Sequence, residues 1–426
     1  MIATRPLRVL LAHPGIDETG ARREFPPWGV IFVGPALARS GPVVQVVDWN
    51  GEPALETALD RQVIDFRPDI LGVTGKWGRA ARRAERLFRH AAAHYPAIRR
   101  VLGGPLAATL PANATIAPLV HAVLPGDGET TLLRWMAAGM PNLRDASPAQ
   151  DADLGACCLD PAPLFDLAPY VRPAERSDLD VPTLFVSGSR GCVARCSFCY
   201  TLAHAPSGLR EMPAPLLAHG LRGLYQRYGV TGFYFVDDGL VSRARWRRDF
   251  CQELRALDVP LRWGVDLRTA EATSATLGEL WQGGCRALYM GFETADDAAH
   301  RGMLRKGPTA GGVGGALQRA MGIGFRVRAS VVIGWPGESR TAIERTLAAV
   351  QAQPGLLVDA FRYNPLPNTP LAAASAPQFG PQHVYTEYGA DAPNLSDCSD
   401  AYIQSAWERL LALANARNAV AATTLT

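Results

Sequence analysis

Three cysteines fall within eight residues, Cys192, Cys196 and Cys199 in the run SRGCVARCSFCY. Soft thiolates at this C-x3-C-x2-C spacing can hold three irons of a four-iron, four-sulfur (4Fe-4S) cluster, which leaves the fourth iron open to a small ligand. That open corner is where chemistry would happen. A structural zinc ion is the rival reading, but it asks for a fourth Cys or His at similar spacing, and the nearest candidate is His204. Unrelated buried thiols are the plainer alternative, set against by Gly191, Arg195 and Ser197, which are not core residue types. Cys157, Cys158, Cys251, Cys285 and Cys398 read as buried or incidental thiols.

Such a loop needs strands to carry it. TLFVSG leads into it, and GFYFVDD, LRWGVDL, ALYMGFE, VRASVVIGW and VDAFRYN follow, separated by helical stretches such as residues 213–228 and 243–257. Six strand-helix units in a row predict a partial parallel barrel with its site at the carboxyl ends of the strands. The first 135 residues form a separate alternating series, RVLLAH, VVQVVDW, ILGVTG, RRVLGG and HAVLPG, with helices expected over 35–39, 54–65, 79–94 and 129–138. This predicts a second parallel sheet, again with ligands at its carboxyl edge. The fold class is therefore α/β. The expected division is a Rossmann-like domain over 1–140, a Pro-, Asp- and Ala-rich linker over 141–182, a partial (β/α)6 barrel over 183–365 and a short C-terminal cap over 366–426, which holds Tyr385 and Tyr388.

With 426 residues, 48% hydrophobic and 19% charged, the chain has enough apolar content for two packed domains. Its 43 basic and 40 acidic residues leave a formal charge of +3, too small to suggest a nucleic-acid partner. The local exception is RARWRR over 243–248, which reads as a solvated helix face. No stretch has the apolar length of a membrane span or a secretion signal, so a reducing cytoplasm is the expected setting for the eight cysteines.

Taken in order over about 190 residues, the second series resembles the radical S-adenosylmethionine (SAM) superfamily, whose motif is three cysteines at this spacing with an aromatic, here Phe198, before the last. The resemblance implies that Cys192, Cys196 and Cys199 ligate the cluster. It implies that the open iron takes the amino and carboxylate groups of SAM, and that an external flavodoxin- or ferredoxin-type donor supplies the electron that cleaves it. Phe198 would contact the adenine. Asp237 and Asp238, in GFYFVDDGL, stand where members bind the SAM amino group, and Glu293, in LYMGFET, where a carboxylate meets the ribose. Arg268 in DLRTA and Lys306 in LRKG match positions that meet the SAM carboxylate or the substrate. Gly334 and Pro336, with Gly337, in VVIGWPGES would let the backbone pass close to adenine.

The first series resembles the cobalamin-binding module found ahead of the barrel in one large class of that superfamily, through PPWGVIFVGPAL, PDILGVTG, GGPLAAT and PGDGE. This implies a corrin over Thr74, Gly75, Lys76, Gly103, Gly104, Pro105, Gly126, Gly128 and Glu129. Lys76, Trp77 and Arg79 would face its lower side or lie on the surface. The D-x-H-x-x-G signature of a cobalt-ligating histidine is absent, and His13 stands instead in LAHPGI. The class implies a cobalamin-dependent methyltransferase acting on a small biosynthetic intermediate. The alternatives are radical cyclisation, rearrangement or oxidation without methyl transfer, cleavage of another SAM carbon-sulfur bond, and a non-catalytic cobalamin or iron-sulfur protein.

Overall fold

The computed structural model describes residues 5–16, 25–110, 114–144, 146, 148–376 and 392–423; Tyr385 and Tyr388 lie outside them. The chain divides into two compact units, residues 1–170 with 203–207, and residues 171–202 with 208–426. The division therefore falls between Tyr170 and Val171. Residues 141–170, expected as a linker, belong to the first unit, where Val123 N–H donates to Leu143 O at 2.8 Å and Asp127 N–H to Ala149 O at 2.7 Å.

In the first unit five parallel strands, β1 (Arg8–His13), β2 (Val43–Asp48), β3 (Ile70–Thr74), β4 (Arg99–Gly103) and β5 (Ala122–Val123), are ordered β2-β1-β3-β4-β5. The order reverses between β1 and β3, the switch point where a doubly wound sheet opens a crevice beyond its strand ends. Runs such as VLLA and ILGV are buried throughout because helices cover both faces. Helix Arg79–His94 shows how: Ala80, Ala84, Leu87, Phe88 and Ala91 form an apolar stripe at helical spacing, and the rest of the helix faces water. Arg83 lies on that stripe and is buried as well. Its guanidinium donates to the carbonyls of Pro14 at 2.6 Å, Trp49 at 3.0 Å and Glu52 at 2.7 Å, which ties the loops after β1 and β2 together. The first helix runs Trp28–Arg39 and not 35–39, because Pro35 sits inside it; Trp28, Ile31 and Phe32 already bury the face that the sequence reading had left outside.

The second unit holds a six-stranded parallel sheet of β6 (Thr183–Val186), β9 (Gly232–Phe235), β10 (Arg262–Leu267), β11 (Cys285–Glu293), β12 (Arg326–Ile333) and β13 (Leu357–Arg362), in the order β13-β12-β11-β10-β9-β6. Between β6 and β9 a short antiparallel pair, β7 (Ser189–Arg190) and β8 (Arg210–Glu211), brackets the cysteine loop. The strand sequence is the expected one, and the sheet curls into a half barrel that stays open between β13 and β6. Near the amino ends of its strands, Arg328 reaches Asp178 at 3.0 Å and Asp359 at 3.0 Å, and Arg326 reaches Asp180 at 2.7 Å, so the segment before β6 is pinned across β12.

Helix Asp400–Thr423 covers the edge strand β13. An uncovered edge would present a row of unpaired backbone groups. Here the Asn418 side chain acts as a short stretch of missing strand: its Nδ2 donates to Val358 O at 3.0 Å and its Oδ1 accepts from Val358 N–H at 3.1 Å. Arg417 donates to the carbonyls of Gln351 and Gln353 at the end of helix Arg340–Gln351, where cations are favoured. Replacing Asn418 by Ala is expected to cost about 1–3 kcal/mol, because two backbone groups lose their partners; urea unfolding of the two proteins measures it.

Candidate active site

One pocket at the carboxyl end of the half barrel is lined by Cys192, Cys196, Cys199 and Phe198 from the loop after β7, together with Asp238, Asp266, Arg268, Glu271, Tyr289, Gly291, Glu293, Lys306 and Ser330. The cysteine loop has little regular structure and is held by neighbours. Asp237 at the end of β9 accepts from Ser189 N–H at 2.5 Å, Gly188 N–H at 3.1 Å and the hydroxyls of Ser189 at 2.8 Å and Ser187 at 3.2 Å. Burial pushes its carboxyl up to about 7, against the pull of these donors. On the other side Ser197 N–H donates to Leu304 O at 3.0 Å, and Ser197 O accepts from Leu371 N–H at 2.9 Å.

The thiols themselves are partly or fully buried, and burial raises all three, Cys199 to about 12. Ala194 N–H points at Cys192 Sγ at 3.4 Å, and Cys199 Sγ–H donates to Thr201 Oγ1 at 3.2 Å. Three thiols on one pocket are the soft donors that an iron-sulfur cluster takes as thiolates. Among the described residues no three His, Cys, Asp or Glu side chains converge as the ligands of one ion do. Thiols that each grip a different iron of one cuboidal cluster stand apart around a shared space. His204, the zinc alternative, is not part of the pocket lining.

Of the positions singled out in the sequence, Phe198, Asp238, Arg268, Glu293 and Lys306 line this pocket. Asp237 does not: its carboxylate is spent on the 187–189 turn. Glu293 and Lys306, both buried, are joined by an ion pair of 2.5 Å; Lys306 Nζ also donates to Gly291 O at 2.7 Å, and Glu293 Oε2 accepts from Ser330 Oγ at 3.3 Å. The Glu293 backbone is left-handed, with φ of 60°, where the register between β11 and β12 slips. A non-glycine residue there carries strain of order 1–3 kcal/mol, of the kind that gathers at working sites. Arg268 donates to Glu271 Oε1 at 3.3 Å and to Lys306 O at 2.6 Å, while its Nε is buried with no acceptor.

Phe198 packs edge-on against Trp335, centroids 5.2 Å apart, and Trp335 against Tyr363 at 4.8 Å. Gly334 and Pro336 lie in the turn after β12 rather than on the lining itself. A Cβ added to Gly334, whose φ is 84°, would meet no atom within 4 Å, so one side of that backbone is open for a flat ligand. Glu338 shapes the turn by accepting from Gly334 N–H at 2.7 Å and Trp335 N–H at 3.2 Å, and burial pushes its carboxyl up to about 7.

Asp266, Tyr289, Ser330 and Glu271 were missed in the sequence. Asp266 sits two residues before Arg268 and Tyr289 four before Glu293, so strand alternation around those two positions would have found them, whereas Ser330 is brought in by the pairing of β12 with Gly291 of β11. Asp266 is held well above the ordinary carboxylate range by burial and by the charges of Asp238 and Asp237; its polar contact is Tyr234 OH at 3.4 Å.

In the first unit the expected corrin-facing residues gather at the carboxyl edge of β3 to β5. Gly75 N–H donates to Gly103 O at 2.9 Å, and a side chain at Gly104 (φ 77°) would strike Thr74 and Gly75. Gly126 lies against Ala149, Gly128 against Val33, Pro105 opens helix Pro105–Thr109, Glu129 is buried and Lys76 exposed. Most of these glycines thus serve close packing against other parts of the protein, while Gly103 has open space where its side chain would be. Trp77 is buried, its Nε1 donating to Thr109 Oγ1 at 2.9 Å, and Arg79 is exposed. His13 Nδ1 faces Asp48 Oδ1 at 2.8 Å, and Asp48 Oδ2 accepts from Tyr170 OH at 2.5 Å.

Two outcomes test this geometry. Lys306→Met strands a buried carboxylate and is expected to cost roughly 3–5 kcal/mol, most of which the double variant with Glu293→Gln recovers, read from urea midpoints. For Glu338 the folded protein holds a proton up to about 7 while the unfolded chain releases it near 4.5, so its contribution to stability falls as pH rises between these values. Glu338→Gln keeps the acceptor and removes the ionisation, and should flatten that part of the stability-pH curve.

Residues 186–350 match the radical SAM superfamily. An uncharacterized methyltransferase of Pyrococcus horikoshii, PH0819, is 24% identical over 364 residues, covering 80% of this chain and 77% of that protein. The cytidylyl-2-hydroxyethylphosphonate methyltransferase of Streptomyces wedmorensis is 21% identical over 412 residues, covering 80% and 76%. The structure of the radical SAM methyltransferase TsrM from Kitasatospora setae, with cobalamin and a 4Fe-4S cluster bound, has a TM-score of 0.67 at 16% identity, over 88% of this chain and 75% of that one. With a Rossmann-like sheet followed by the three thiols and the half barrel, residues 186–350 are similar to the radical SAM superfamily, and the fold of the chain is like that of TsrM.

Proposed function

We propose that the chain is a cobalamin-dependent radical SAM methyltransferase that acts on a small biosynthetic intermediate in a reducing compartment. The observation that carries this reading is the set of three thiols lining one pocket with Arg268, Glu293, Lys306 and Asp238 around it. In this reading Cys192, Cys196 and Cys199 hold the cluster. Arg268, with a buried N–H that lacks an acceptor, suits the SAM carboxylate, and Asp238 its ammonium. Glu293, locked by Lys306, presents a fixed acceptor to the ribose, and Phe198 with the open side of Gly334 takes the adenine. The edge beside Gly103 takes the corrin. His13, already engaged with Asp48, is not assigned to cobalt.

When bound, the cluster with SAM supplies a carbon-centred radical and cobalamin supplies a methyl group, chemistry that no side chain offers. The protein's own residues orient and shield. The Lys306–Glu293 pair and the Arg268–Glu271 pair hold four charges in place before any ligand arrives, which lowers the reorganisation needed in the reaction. Asp266 adds a further hydrogen-bonding group to the lining, its carboxyl held well above the ordinary range by burial. The electron comes from an external flavodoxin- or ferredoxin-type donor. The methyltransferases among the relatives and the tryptophan-bound form of TsrM support the methyl-transfer part and the small substrate.

Protein reconstituted without oxygen is expected to hold about four irons per chain, and the triple Cys→Ala variant none. Incubation with SAM, cobalamin and a strong reductant should yield both 5'-deoxyadenosine and S-adenosylhomocysteine. If 5'-deoxyadenosine forms without S-adenosylhomocysteine, methyl transfer is discarded and the radical step stands; if neither forms, both fall.

A further inference from the structure

The basic run 243–248 takes no part in the pocket, yet it breaks a local rule. Helix Ala244–Ala256 starts with Arg243 at its N-cap and Arg245 in its first turn, and it has no acidic residue there. Cations beside the unpaired N–H groups of a helix start add to positive partial charge and cost stability. Arg243 offsets this through Glu211 at 2.5 Å, but Arg245 has its side chain 92% exposed and reaches Asp249 only at 3.9 Å. A rule broken without local compensation is where a functional reason is to be sought.

The position of this helix start supplies one. Arg243 also donates to Leu209 O at 2.7 Å, and Glu211, its partner, lies in β8, which pairs residue for residue with β7 (Ser189 with Glu211). Strand β7 runs directly into Gly191 and Cys192. The loop from β9 reaches the same place: a Cβ on Gly239 would stand 3.2 Å from Cys192 Sγ and 3.3 Å from Ser242 Oγ. Between the first two cysteines, Val193 is 46% exposed and Arg195 is exposed, with no acidic partner among the described residues. The cysteine loop thus turns an uncompensated guanidinium and a small apolar residue to solvent, and Gly239 bridges Cys192 to Ser242, the residue just before the positively charged helix start.

We propose that Val193 and Arg195, with Arg243 and Arg245 alongside, form the docking surface for an acidic one-electron carrier protein of the flavodoxin or ferredoxin class. This rests on the proposed function, which requires an electron to reach the cysteine-held cluster. The reduced carrier loses one electron and the oxidised cluster gains one, with no bond made or broken in the protein. Val193 and Arg195 are bonded in sequence to the cluster ligands, so a carrier seated on them has a short path to the sulfurs. The arginines steer encounter, a contribution that acts mainly on the association rate and fades with salt.

The test uses the reconstituted holoprotein, the Arg195→Glu/Arg245→Glu variant and, as a change remote from the cysteines, Arg245→Glu alone. Cluster reduction is followed by absorbance with three donors: photoreduced deazaflavin, reduced flavodoxin and reduced ferredoxin. Affinity for oxidised flavodoxin is measured separately by calorimetry. At low salt the double variant is expected to be reduced about tenfold or more slowly by at least one carrier protein, to bind flavodoxin more weakly, and to approach the parent protein at high salt. Arg245→Glu alone should fall between. Iron content and reduction by deazaflavin should not change. Equal rates and equal affinity across the three proteins overturn the docking surface and leave the proposed function standing, as does a parent protein that deazaflavin reduces but neither carrier does. A parent protein that deazaflavin cannot reduce overturns both.

Discussion

The pocket depends on how a loop with almost no regular structure is held still. Residues 187–200 must present three thiols at fixed separations, yet they contribute only the two residues of β7 to any sheet. Their backbone groups are satisfied from outside: Asp237 gathers Gly188 and Ser189 from one side, while Leu304 and Leu371 bracket Ser197 from the other. The carboxyl that does the gathering is buried, and burial raises it despite the donors around it. The second acidic residue of the same pair, Asp238, is left to face the pocket.

The same economy of charge runs through the lining. Lys306 and Glu293 neutralise one another in a buried pair, Arg268 is met by Glu271, and burial disfavours the charged form of Asp266. A pocket that gathers four carboxyls, two cations and three thiols can stay folded because most of the charge is matched before a ligand enters. The Nε of Arg268 is left unmatched. A ligand that accepts from it gains binding energy, since a buried donor costs free energy while it lacks a partner.

In the Rossmann-like unit the glycines have two kinds of reason for being there. Gly104 and Gly126 let one loop lie against another, Gly128 lets a helix start lie against Val33 of helix Trp28–Arg39, and any side chain would collide with protein atoms. Gly103 is different, because the volume beside it is open. Sequence reading treated all of them as room for a ligand. A glycine's neighbours in space, not its place in a motif, decide whether it makes room for backbone or for something bound.

The amino-acid sequence by itself determined the strand-helix order of both sheets, the cysteine trio and the set Phe198, Asp238, Arg268, Glu293 and Lys306, because these are written in periodicity and in spacing along one stretch of chain. The boundary at Tyr170, the diversion of Asp237 from ligand to loop, the pairing of Lys306 with Glu293 across thirteen residues, and the presence of Asp266, Tyr289 and Ser330 in the lining were decided only by the fold. Each of these depends on which side chains from different strands meet at one strand end, and on how much water they lose there. Distance along the chain carries no information about either.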